Sequence, residues 1–150
     1  MTQTEIIQVL SGFVGALGFA ILFNIRGKRL AAASVGGMLS WLLYIIINNF
    51  IDNSVLTYFI VSFVISIYSE IMARVLKTPT TTFIITSLIP MIPGSSLYYT
   101  MVSAFKMNQS DFLTKAVSTL QLAAALALGI VAVTTFARLF RRSVNFRGEK

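Results

Sequence analysis

Residues Thr80–Phe105 read TTTFIITSLIPMIPGSSLYYTMVSAF. As one helix they would rise about 39 Å, enough to cross a hydrocarbon layer about 30 Å thick. Pro90, Pro93 and Gly94 fall at the middle of that run. Proline removes a backbone donor and clashes with the preceding turn, and glycine admits non-helical dihedrals. Three such residues within five positions predict an interruption over Pro90–Ser96. Non-helical backbone at bilayer depth is tolerated only where protein buries it or where it lines a watery cavity. Ser95 then reads as the N-cap of a second half-helix. The amides around Ser95, Ser96 and Leu97 would face the cavity with the positive end of the helix dipole behind them. Such half-helix ends hold anionic groups near the midplane of transporters. The plainer alternative is a proline kink that only shapes packing. Tyr98 and Tyr99 follow the break, either lining it or packing between helices with their hydroxyls satisfied.

Outward from this stretch the chain keeps the same character. Of 150 residues, 56% are hydrophobic and 11% charged, where soluble domains carry roughly 25% charged residues. Mean hydropathy is +0.81. Four further apolar runs cover about 5–23, 30–50, 55–72 and 116–136. The expected fold is therefore all-α: a polytopic transmembrane bundle of about five spans, the fourth interrupted. One transmembrane domain would occupy 1–137, with a basic cytoplasmic tail over 138–150. The N-terminal MTQTEIIQVL lacks a basic region ahead of its apolar run and reads as a retained span.

The charges set a topology. With the N-terminus outside and five spans, the inside segments hold Arg26, Lys28, Arg29, Arg74, Lys77, Arg138, Arg141, Arg142, Arg147 and Lys150, ten of the twelve basic residues. Lys106 and Lys115 fall outside, as do Glu5, Asp52 and Asp111. This follows the positive-inside rule for short loops and predicts a multi-pass protein of the cell inner membrane. A four-span arrangement, with Thr80–Phe105 as a re-entrant hairpin, would instead place the basic tail outside.

Each span has a face of its own. Small residues cluster as Ser11, Gly15 and Gly18 on the first, and as Ala33, Gly37 and Ser40, with Tyr44 and Asn48, on the second. Ser118, Ala125, Gly129 and Ala132 do so on the fifth, with Gln121 beside them. Small residues let helices approach closely in lipid, so these read as packing seams, and they also suit a homo-oligomer. Asn48 and Gln121 either hydrogen-bond across helices or line a path. On the third span Ser62, Ser66, Ser69 and Glu70 share an arc of about 100°. Glu70 is a candidate for ion coupling, and Arg74 at i+4 can pair with it, which is the simpler interfacial reading.

The residue inventory excludes much. Neither Cys nor His occurs, which removes thiolate and imidazole metal sites and His-based catalysis. No second carboxylate shares a helical face with Glu70, so no acid pair forms. No enzyme activity, metal or cofactor is expected. The net charge of +7 lies in gaps between apolar runs, unlike the basic face of a nucleic-acid binder.

The run Ser69–Met101, SEIMARVLKTPTTTFIITSLIPMIPGSSLYYTM, resembles the signature of the threonine/serine exporter family. There an acidic residue and an arginine precede a P-A-T-x-F-like start, and a P-x-x-P-G-S break is followed by tyrosine. The matching positions are Glu70, Arg74, Pro79, Thr80, Thr81, Phe83, Pro90, Pro93, Gly94, Ser95 and Tyr98. FNIRGKRLAAASVGGMLSWLLY, at 23–44, is similar to the family's first basic loop and second span, and the alanine-rich span with Gly129 is also similar. The likeness covers nearly the whole chain and fits the family's shorter hydrophobic half. It implies a larger hydrophobic partner subunit, and export of threonine and serine or, in split two-subunit forms, of succinate.

Two functions follow as expectations. One is a subunit of a secondary active exporter in the bilayer, with Pro90, Pro93, Gly94, Ser95, Ser96 and Tyr98 binding or gating a small polar solute. No Gly-x-x-x-x-Gly-Lys-Ser/Thr sequence occurs to support ATP drive in this chain. The other is a non-transporting scaffold or assembly partner built on the small-residue faces.

Overall fold

The structure, a computed structural model, describes residues 2–107 and 109–147, with side chains through Leu139. Six helices follow one another: α1 (Gln3–Leu22), α2 (Lys28–Phe50), α3 (Ser54–Val75), α4 (Thr80–Leu88), α5 (Gly94–Phe105) and α6 (Gln109–Arg147). A 3₁₀ turn, Ile89–Met91, follows α4 directly. No strand occurs among the described residues. Over lengths and compositions alone, α1, α2, α3 and Gln109–Leu139 of α6 can each cross a membrane, whereas Thr80–Met91 is a shorter apolar segment.

The helix ends explain the short loops. Asn24, Lys77 and Met107 adopt positive φ just after α1, α3 and α5, the left-handed stop that frees a chain to reverse. After α1 the Ile25 amide reaches back to the Ala20 carbonyl at 2.9 Å, and after α3 the Thr78 amide reaches Ala73 at 3.0 Å. Helix starts are also set locally. The Thr2 amide donates to the Glu5 carboxylate at 2.8 Å, and Asn53 Oδ1 accepts from the Leu56 amide at 3.2 Å.

α1 and α2 run antiparallel, with Gly12 against Gly37 and Ala20 clustered with Ala33. α4 packs against both α2 and α3. Its Phe83, fully buried, joins Ala20, Ile25, Ala33 and Ala73 at the basic end. Ile84, Leu88 and Met91 meet Val61 and Ile65 further along, beside Trp41 and Tyr44. α5 packs principally on α6 and makes no substantial contact with α4.

α6 lies along α3 in the same direction. Gln121 shares a groove with Asn53 and Leu56, Gly129 abuts Phe59–Phe63, and Phe136 shares a groove with Glu70 and Arg74. A Cβ on Gly129 would overlap the Ser62 hydroxyl and stand 2.9 Å from the Phe59 carbonyl oxygen. Only glycine permits so close a crossing. The chain therefore returns to the starting end of α3 before α6 begins.

The seams differ in part from the sequence reading. On α1 the buried face is Val9, Gly12, Ala16 and Ala20, while Gly15 and Gly18 have open space above them and Ser11 is exposed. The true seam lies one position over, where Gly12 and Ala16 admit Gly37. On α2, Ala33, Gly37 and Ser40 are buried as expected. On α6, Ala125 and Gly129 are buried, but Ser118 is exposed and bonds the Thr114 carbonyl of its own helix. Of the expected tail, helix α6 continues through Arg147. The side chains of Arg141, Arg142 and Arg147, and residues 148–150, lie outside those described.

Candidate functional site

The interruption forms where the prolines require it. α4 closes into the 3₁₀ turn at Ile89–Met91, Ile92 is extended, and α5 starts at Gly94. The Gly94 amide bonds the Ile92 carbonyl at 2.6 Å and the Leu97 amide bonds Pro93 at 3.0 Å. Ser95 and Ser96 lie in the first turn of α5, where no preceding turn supplies carbonyls, and their amides meet no backbone acceptor among the described residues. Ser95 is not the N-cap: Pro93 holds that position, without a side-chain cap bond, and Ser95 lies inside the first turn. The proline's fixed φ lets the helix start two residues earlier than a cap at Ser95 would.

The break sits at mid-length of its neighbours. A cavity of about 270 Å³ is lined by Gln8, Ser11, Gly12 and Gly15 of α1, Trp41 of α2, and Ile89 and Pro90. The Trp41 indole N–H points to Gln8 Oε1 at 3.4 Å across its mouth. Sequence reading treated Ser11 and Gly15 as packing residues and passed over Gln8 and Trp41. Their signal was weak: one amide and the chain's single tryptophan, each a turn from the small residues that open the cavity. On the other side of the break a Cβ added at Gly94 would meet nothing within 4 Å. Tyr98 and Tyr99 are largely exposed, edge to face at 5.5 Å.

A second polar feature runs inside α3. Ser62, Ser66 and Ser69 are fully buried and Glu70 nearly so. The Ser62 hydroxyl donates to the Phe59 carbonyl at 2.9 Å. The hydroxyls of Ser66, Ser69 and, on α4, Ser87 meet no hydrogen-bond partner among the described residues. Buried polar groups are normally satisfied, so three such hydroxyls in one bundle mark polar capacity held in reserve. Ser87 lies against Gly36 of α2, where an added Cβ would overlap it and crowd Tyr68 at 3.0 Å. Glu70 pairs with Arg74 at 3.6 Å, the carboxylate mostly shielded and the guanidinium half exposed.

The remaining expected residues stand apart from the break. Asn48 is exposed near the end of α2. Gln121, also exposed, lines a groove of about 490 Å³ with Asn53, Leu56 and Phe59. Among the described residues no group of His, Cys, Asp and Glu is placed to hold a metal.

Compared with known families, residues 8–136 match the model of the threonine/serine exporters, ThrE. The chain belongs to the threonine/serine exporter family. The match spans α1 through most of α6, so the interrupted segment and the polar face of α3 both lie inside the matched residues. Membership and four long apolar helices make this a membrane protein of an exporter family. No match was found among curated proteins or solved structures.

Proposed function

We propose that this chain is the hydrophobic membrane subunit of a secondary exporter for a small polar metabolite, threonine or serine or a dicarboxylate such as succinate. One observation carries the reading: a helix broken at mid-length, with the Ser95 and Ser96 amides unclaimed by the backbone and a cavity against Pro90. Backbone amides at a helix start favour a carboxylate, which all three solutes carry. We do not propose an enzymatic activity for this chain.

Five crossings are the topology we favour. The parallel course of α3 and α6 supports it, since a re-entrant hairpin at Thr80–Phe105 would return the chain to the wrong end and make them antiparallel. The location we assign is the cell inner membrane, with the N-terminus outside and the C-terminus cytoplasmic, on the strength of the Lys and Arg bias. A larger hydrophobic subunit of the same family is the proposed partner. Alternating access would move that partner against this bundle around Pro90–Ser96.

The test is counterflow in proteoliposomes with serine, threonine and succinate, with and without the larger subunit. Pro93→Ala and Gly94→Leu are expected to abolish flux while the protein still inserts. Normal flux in both, at matched amounts, would remove the break from the site. The exposed apolar side of α5 favours a second reading, a scaffold that only assembles the partner. A scaffold predicts full flux once the partner is folded without this chain.

A further inference from the structure

We infer that the groove between α3 and α6 at the basic end is a seat for one anionic phospholipid of the adjoining leaflet. The groove encloses about 360 Å³, with Phe63, Ile67 and Ile71 on one wall and Val133 and Phe136 on the other, and Arg74 at its end. From Phe63 to Arg74 it runs about 16 Å along α3, close to the half-thickness of a bilayer, about 15 Å. An acyl chain lying there would end near mid-membrane with its headgroup beside Arg74.

Charge selects the headgroup. Arg74 is half exposed beyond its ion pair with Glu70. Lys77 lies one turn on, and Arg138 follows the lining residue Ala137; both are exposed. Arg74 lines the groove beside Glu70, and Lys77 and Arg138, outside the lining, add two further exposed cations near lining residues in the chain. Guanidinium groups bind phosphate through paired donors, and basic pockets between membrane helices take anionic headgroups. The walls argue against a helix of a second copy. Close helix contacts in lipid use small residues; of the nine lining residues two, Ala132 and Ala137, are small, while Phe63, Ile67, Ile71, Val133 and Phe136 are bulky and apolar and suit a thin flexible chain.

The test is native mass spectrometry of the purified chain from equimolar phosphatidylglycerol and phosphatidylcholine. One phosphatidylglycerol should be retained in preference to phosphatidylcholine. Arg74→Gln and Arg138→Gln should each lower that preference about fivefold, the effect of roughly one basic residue at a lipid surface. Lys106→Gln, at the opposite end, should leave it unchanged. Ala132→Phe, which fills the groove and keeps every charge, should abolish retention. Ile71→Asn, at an exposed wall position, should weaken it, and serves if the first variant does not fold. Equal retention of the two lipids would overturn the assignment. So would wild-type retention in folded Ala132→Phe, meaning surface attraction alone, or a dimer that Ala132→Phe dissociates, meaning a second copy fills the groove.

Discussion

Helices α4 and α5 come from one apolar stretch yet occupy opposite surroundings. Five of α4's nine residues are buried, including Phe83 and Leu88, between α2 and α3. Of α5's twelve, only Thr100 and Ser103 are buried, and α5 leans on α6. Its polar ties are a Thr100–Thr119 hydroxyl contact at 3.1 Å and a bond from Lys115 Nζ to Ser103 Oγ at 3.0 Å. The break is thus a junction between an anchored half and a peripheral half, and not a bend within one packed rod. The anchored half fixes where the break sits, and the peripheral half reaches the core principally through α6.

The comparison can be broken hardest at α6, which links the two halves. Gly129→Leu would drive side-chain atoms into the Ser62 hydroxyl and the α3 backbone. We expect a loss of about 3 kcal/mol, the upper range for overpacking, read as a collapse of the thermal melt in detergent. At the anchored half, Gly36→Ala should cost about 2 kcal/mol, because the new methyl meets Ser87 and Tyr68. Ser87→Gly in the same chain should restore most of that, and a double-mutant cycle showing no coupling would contradict the contact. At the peripheral half the effects shrink. Thr100→Val should cost about 1 kcal/mol through loss of the hydroxyl's bonds to the Ser96 carbonyl and to Thr119. Gly94→Ala, in open space at the first residue of α5, should stabilise by about 0.4–1 kcal/mol by restricting the unfolded chain. A melt lowered by Gly94→Ala would mean that α5 packs more tightly than its exposure indicates.

Much of this was legible beforehand, for reasons tied to particular residues. Apolar runs and the gaps between them located the long helices, and Asn24, Lys77 and Met107 close three of the turns between elements. Pro90, Pro93 and Gly94 announced the break because proline acts on the backbone whatever surrounds it. The arc from Ser62 to Glu70 was visible because it needs only one helix's periodicity. Partnership between helices was harder to read. Choosing Ser11, Gly15 and Gly18 over Gly12, Ala16 and Ala20 was an error of rotation, since both sets are small and only Gly37 across the contact decides between them. The cavity at Gln8 and Trp41 was hidden for the same reason. Its walls come from three separate elements.

The brevity of α4 bears on how the chain is made. Thr80–Met91 rises about 18–20 Å as helix, well short of the hydrocarbon depth. An insertion machinery that gauges apolar length as the nascent polypeptide emerges would find the segment too short to anchor alone. Its lodging between α2 and α3 must therefore await synthesis of the residues beyond the prolines. The interrupted helix is then placed only after the residues of α5 have been made.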